Sequence, residues 1–178
     1  MKTYGKLAAF GLILAVGSPI AARSPAPFTQ SVASAPVFTD SGRDAGYAVV
    51  MVKRDKAILR LSFTGITPGE HGLHFHTTGS CKGTKFSGAG GHLNPLGHQH
   101  GMNNPAGSHL GDLPNVTADA NGVAIADITL KGSARDLVSA MMDKDGTAIV
   151  LHARPDDYVT DPAGNSGDRI ACGVFKRN

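Results

Sequence analysis

The stretch His71-Gly72-Leu73-His74-Phe75-His76 constrains this chain more than any other. In an extended strand successive side chains alternate between faces, so His74 and His76 point one way and Phe75 the other. Two imidazoles about 7 Å apart on one side of a strand can grip a single ion, as two of the four equatorial nitrogens that Cu(II) prefers. For a lone histidine the plainer reading would stand, an imidazole satisfied by backbone hydrogen bonds. Here all eight histidines fall between His71 and His152, which favours a metal. Gly69, Gly72 and Gly79 permit sharp turns on either side of the stretch.

The rest of the chain supports a sheet. It has 23 glycines, 10 prolines, no tryptophan and no strong helical periodicity, which points to an all-β or loop-rich fold. Its 178 residues suit one domain with a sizeable core and some end material. Residues 35–39 could form a first strand. Residues 47–52 and 58–63 flank a turn at Lys53-Arg54-Asp55-Lys56, and the second alternates apolar with polar, a hairpin signature. Residues 115–118 and 123–130 flank Asn121-Gly122, the strongest short hairpin signal in the chain. Strands are also expected at 147–152 and 169–175. Residues 133–142 could hold a helical turn whose Leu137, Met141 and Met142 serve packing rather than metal. Two long segments remain, 79–114 and 153–168. A structureless loop of about 35 residues is uncommon and needs something other than an apolar core to hold it. The expected class is an antiparallel sandwich or barrel.

Residues 1–22 read as a secretory signal, with Lys2 and Lys6, an apolar run over 7–16 and small residues at Ala21-Ala22. Residues 23–34, with Pro25, Pro27 and several serines, read as a flexible leader, and 35–178 as the domain. The apolar run is too short to span a bilayer comfortably; the alternative is a buried helix. The formal charge of +3 falls to +1 once the signal is removed, 15 basic against 14 acidic residues. With its basic residues scattered, the chain is not expected to bind nucleic acid, and steering of a charged substrate must be local. Cys81 and Cys172, in an exported chain, most simply form one disulfide; two buried thiols or a thiolate metal site are the alternatives. A bridge closing roughly 90 residues contributes about 4 kcal/mol in the chain-entropy model.

The first long segment carries His92, His98, His100, His109 and Asp112. Three of these imidazoles and the carboxylate make a closed tetrahedral set suited to structural Zn(II), so zinc binding would be coupled to ordering the segment.

These residues together resemble the Cu,Zn superoxide dismutases. The resemblance rests on His71-Gly72-Leu73-His74-Phe75-His76, Gly90-Gly91-His92-Leu93-Asn94-Pro95, His100, His109-Leu110-Gly111-Asp112, His152 with Asp156, and Gly167-Asp168-Arg169-Ile170-Ala171-Cys172-Gly173, and covers nearly everything from Gly46 onward. It implies a Greek-key antiparallel β-sandwich, or flattened barrel, with two long functional loops. It implies His74, His76, His92 and His152 as copper ligands, and His92, His100, His109 and Asp112 as zinc ligands, with His92 bridging, one copper and one zinc per subunit. It further implies Asp156 bonded to one histidine at each metal, here His74 and His100, a Cys81–Cys172 disulfide, and Arg169 beside copper. His71 matches a structural histidine and His98 no ligand.

The implied reaction is dismutation of superoxide to dioxygen and hydrogen peroxide by Cu(II)/Cu(I) cycling, with His92 supplying a proton and Arg169 a permanent cation for the anion. The loop 153–168 is short, and no lysines could be placed that would complete an electrostatic funnel. That loop and the exported start look more like bacterial periplasmic members, for which monomer and homodimer are both known. The competing reading is a dismutase-like protein that buffers copper without useful turnover.

Overall fold

The structure is a computed structural model that describes Met1 and residues 29–178. The expected signal lies outside the described residues apart from Met1, as does the leader up to residue 28. Residues 30–34 of the expected leader are strand. β1, Gln30–Thr39, starts five residues before the predicted strand. There the backbone decides: residues 30–34 pair with β2 (Asp44–Lys53) along one edge, and Ala33 and Ser34 pair with the short β10 (Lys176–Arg177) along the other. Ala33 is buried while the polar Gln30 and Ser31 face water, so a serine-rich stretch conceals a paired strand.

β2 turns through Arg54-Asp55 into β3, Lys56–Phe63, in register from Lys53↔Lys56 to Gly46↔Phe63. Along β3 the alternation is strict: Ala57, Leu59, Leu61 and Phe63 are buried and their neighbours are not. The histidine stretch is not one strand. It divides at Gly72 into β4 (Gly69–His71) and β5 (Leu73–His76), which lie in different sheets. At Gly72 the 153–168 loop packs against the backbone: a Cβ there would sit 2.9 Å from the Ser166 side chain.

After β5 come a 3-10 turn over Thr84–Ala89, β6 (Val116–Ala118), β7 (Ala124–Thr129), α1 (Ala134–Met141), β8 (Ala148–His152) and β9 (Arg169–Val174). Ser133 caps α1 by accepting the Asp136 N–H at 3.1 Å, and Leu137 and Met141 bury one face of it. The strand order of the main sheet is β5-β8-β9-β1-β2-β3-β7, every pairing antiparallel, while β4 and β6 pair separately. The chain leaves β3 near one edge and enters β5 at the other, then returns to place β7 beside β3. Such crossings are the Greek-key connections of a flattened sandwich.

β8 is buried at all five positions because both of its faces are covered. Ile149 and Leu151 join Leu73, Phe75 and Phe175 in the main core, where the Phe75 and Phe175 rings meet edge to face at 5.6 Å. Ala148 and Val150 meet Phe86, Ala89 and Cys172 on the other side. The outer edge of β5 is covered by the first long loop: Phe75 N–H donates to Gly111 O at 2.9 Å, and Leu93 N–H to Phe75 O at 2.8 Å. The loop thus satisfies an edge that would otherwise stay open.

Cys81 and Cys172 form a disulfide with Cα atoms 5.8 Å apart, tying that loop to β9. Replacing Cys172 with serine is expected to destabilise the metal-free protein by about 2–5 kcal/mol. For a chain of this size that lowers Tm by roughly 4–20 °C. Calorimetry of the two metal-free proteins checks it; a loss below about 1 kcal/mol would mean the loop's own hydrogen bonds hold it.

Candidate metal centre

Strand parity builds the centre. Leu73 and Phe75 point into the main core, so His74 and His76 point to the opposite face, both fully buried. In the β5–β8 ladder His74 faces Val150 and His76 faces Ala148. The same parity along β8 puts His152 on the histidines' side, one step past Leu151. His92 arrives from the loop through a bridge to His76, and Asp112 through a bridge to His74.

Each of these four rings has one nitrogen held and one left bare. His74 Nε2 donates to Asp156 Oδ2 at 2.7 Å, His76 Nδ1 to Gly90 O at 3.0 Å, and His152 Nδ1 to Gly167 O at 3.1 Å, while His92 Nδ1 lies 2.9 Å from Asp112 Oδ1. The opposite nitrogens, His74 Nδ1, His76 Nε2, His92 Nε2 and His152 Nε2, are buried without a hydrogen-bond partner. One donor atom from each of the four residues falls within 4.8 Å of the others. Four buried, unpaired acceptors converging on one point are costly unless a cation is their partner. Burial pushes His76 down to about 2, His74 to about 3 and His152 to about 4, so all three rings are neutral at neutral pH, the form that can bind a metal. A set of four imidazole nitrogens suits copper.

The second cluster surrounds one oxygen. Asp112 Oδ1 lies 2.9, 3.0 and 3.1 Å from Nδ1 of His92, His100 and His109. Its Oδ2 accepts the N–H groups of Gly101 at 2.9 Å and His109 at 3.0 Å. His109 Nδ1 and His92 Nδ1 are 3.4 Å apart. Four donors about 2.1 Å from a zinc ion would be separated by about 3.4 Å in a tetrahedron, so the set fits with small adjustments. Donor atoms of His74, His92, His100 and Asp112 also lie within 4.8 Å of one another. His74, however, has its Nε2 on Asp156 and its bare Nδ1 in the first cluster, which leaves His109 as the fourth donor here. Burial would raise the Asp112 carboxyl, but the bonds from His100, His92 and the Gly101 N–H hold it below the usual carboxylate range. Burial likewise opposes charge on His100, yet Asp112 and Asp156 raise it to about 9.

Asp156 joins the two clusters, with Oδ2 on His74 and Oδ1 on His100 Nε2 at 3.0 Å. A Cβ at Gly164 would overlap that carboxylate and fall 2.7 Å from His100 Nε2, so only glycine fits there. Arg169 stands half-buried in an open cleft that is also lined by His92, His152, Gly167 and Pro162. Its Nη1 donates to Phe86 O at 2.9 Å and its Nη2 to Gly90 O at 2.6 Å. His71 is outside both clusters, bonded to His152 O and Thr67 O, and His98 is exposed.

Residues 45–175 match the family model for copper/zinc superoxide dismutase. The chain belongs to this family. A "Superoxide dismutase [Cu-Zn]" of Caulobacter vibrioides is 42% identical over 81% of this chain and 85% of its own length. "Superoxide dismutase [Cu-Zn] 2" of Aquifex aeolicus is 39% identical over 85% of this chain and 91% of that one. Among solved structures, a SOD-like protein from Bacillus subtilis superposes with a TM-score of 0.75 at 33% identity, over 83% of this chain and 99% of that one. Family membership accounts for the antiparallel sandwich and implies copper and zinc, which the two histidine clusters could hold.

Several groups that build the dismutase centre carried no signal in the sequence. The Asn115 amide pairs with both the N–H and the C=O of Asp156, at 2.9 and 3.0 Å, and the Asn115 N–H donates to the Tyr158 hydroxyl at 2.7 Å. Gly90 O and Gly167 O orient two of the rings, and a backbone carbonyl has no residue signature. Lys85 pairs with Asp168, the residue before Arg169, at 2.7 Å, and both are exposed.

Proposed function

We propose that this protein dismutates superoxide in an exported setting, the bacterial periplasm, with one copper and one zinc per chain. His92 carries the reading. Its Nδ1 sits in the Asp112 cluster while its Nε2 is one of the four bare nitrogens of the other, so one imidazole serves both sites. In this reading His74 Nδ1 and Nε2 of His76, His92 and His152 would hold copper, and Nδ1 of His92, His100 and His109 with Asp112 would hold zinc. Asp156 fixes ring orientation in both sets, as outer partners of metal ligands do.

Bound copper would supply one-electron exchange with superoxide, and zinc, which is redox-inert, would supply fixed positive charge. Arg169 draws the anion into the cleft and, with a guanidinium pinned through two N–H groups, holds it by charge and by the donors that remain. His92 is the proton carrier: tethered at Nδ1, it would take a proton at Nε2 whenever that nitrogen is released from the metal, and pass it to the reduced anion. A second proton enters from water through the open cleft, so two superoxide anions and two protons give dioxygen and hydrogen peroxide.

Export is supported by the basic and apolar start of the chain and by the disulfide, which persists in oxidising compartments. No helix among the described residues is long and apolar enough to cross a membrane. In that compartment the enzyme would protect the cell envelope from superoxide.

The test is dismutation by protein carrying both metals, against the same concentration of free copper ion. Turnover well above free copper supports the enzyme; tight copper binding without it would replace this reading with copper handling. Arg169→Ala is expected to retain both metals and to lose roughly tenfold or more in kcat/KM at low salt. Added salt should slow the parent and barely affect the variant, as followed by stopped flow. Equal rates and equal salt slopes would remove Arg169 from the mechanism.

A further inference from the structure

Arg169 does not position itself. Among the described residues its guanidinium donates to two backbone carbonyls at one short turn, Phe86 O from Nη1 and Gly90 O from Nη2, and Gly90 O also accepts from His76 Nδ1 at 3.0 Å. That turn is held in an unusual shape. Lys85 (φ 50°, ψ 37°) and Phe86 (φ 56°, ψ 34°) are consecutive non-glycine residues in the left-handed region. A side chain is strained there, and such pairs persist only when their surroundings over-determine them.

The surroundings here are the Phe86 ring and what it touches. The ring is buried at 6% exposure against Ala89, Ala148, Val150 and Cys172, with Cys81 packed alongside. Cys172 is three residues along β9 from Arg169 and bonded to Cys81. The ring and the guanidinium are therefore referred to the same strand, one through packing and the other through the chain. Lys85, from the same left-handed pair, reaches Asp168, the residue before Arg169. The Phe86 N–H closes the turn onto Gly83 O at 3.1 Å.

We infer that Phe86 is a positioning residue for substrate binding: its ring anchors the left-handed turn against the disulfide, and this aims the carbonyl that fixes Arg169 in the cleft. The inference rests on the reading of Arg169 as the anion-binding cation. Without the ring, the turn can relax to ordinary backbone angles and the Phe86 carbonyl leaves Nη1, while Gly90 O stays on His76 because the carbonyls on either side of it, Ala89 O and Gly91 O, accept from the N–H groups of Thr78 and Thr77 at 3.0 and 2.9 Å. The Phe86 ring packs in the apolar cluster with Ala89, Ala148, Val150 and Cys172, so its loss is expected to fall on the anion before the metals.

The experiment uses the metal-loaded, disulfide-bonded protein with azide as a small anionic probe, its affinity read from the copper absorption band. Copper and zinc contents are counted for each variant. Phe86→Ala is expected to keep both metals and to weaken azide binding about tenfold, approaching Arg169→Ala. The double variant should be no weaker than Arg169→Ala alone, because both act through one group. Phe86→Leu, which restores an apolar anchor, should recover most of the affinity, and Phe86→Val should fall between. This graded pair keeps the test readable if the alanine variant does not fold. Unchanged azide affinity across the Phe86 series, with Arg169→Ala weakened, would overturn the inference, as would additive losses in the double variant. If Arg169→Ala itself binds azide as the parent does, the reading of Arg169 fails first, and the single arginine variant tells the two failures apart.

Discussion

Replacing His152 with alanine is expected to strip copper from the protein and abolish dismutation while leaving the fold and the zinc cluster in place. His152 contributes one of four converging nitrogens, and the other three cannot close the gap, because each ring is fixed through its opposite nitrogen by Asp156, Gly90 or Asp112. Loss of an outer partner of a metal ligand already costs about 10–100-fold in affinity, so loss of the ligand should exceed about 100-fold. The backbone at this position does not depend on the ring. His152 N–H donates to Gly72 O at 2.9 Å, and His152 O accepts from His71 Nδ1 at 2.7 Å. The variant should therefore keep its zinc and most of its Tm. Elemental analysis with a dismutation assay checks this, and copper held at one per chain with near-parental rates would exclude His152 as a ligand.

Asp112→Asn should act on the other cluster and on the fold together. Asp112 meets three imidazole nitrogens through one oxygen and two backbone N–H groups through the other, all of them buried. The amide keeps the shape but removes the charge, and its NH2 group must face donors. Breaking a buried charged network from one side costs about 3–5 kcal/mol, or very roughly 6–20 °C in Tm here. Zinc should fall from one per chain to near zero. Hydrogen exchange should speed up at Leu93 and Gly111, whose N–H groups tie the loop to β5 and to itself. Retained zinc with unchanged protection would show that the loop is organised by its backbone bonds and that Asp112 is not its anchor.

What could be read from the residues followed physical periodicities. Alternation fixed the faces of β3, Asn121-Gly122 marked a hairpin, and the spacing of His74 and His76 put two imidazoles on one face. The start of β1 was missed because serines and Gln30 look like a leader when the strand's burial comes from two neighbours remote in sequence, β2 and β10. The division at Gly72 was missed for a related reason. A strand pattern shows which way side chains point and not which sheet they enter, and β4 pairs with β6, some 45 residues on.

The sequence by itself therefore determined the donor types, their parity on β5 and β8, and the cysteine pair that the fold joins. These are properties of residue chemistry and of a two-residue repeat. Only the tertiary structure decided which nitrogen of each ring is bare, since that depends on where a carbonyl such as Gly90 O or a carboxylate such as Asp156 lands. It also decided that Arg169 is held by a left-handed turn, because carbonyl directions follow from long-range packing of Phe86 against Cys172 and not from any local pattern.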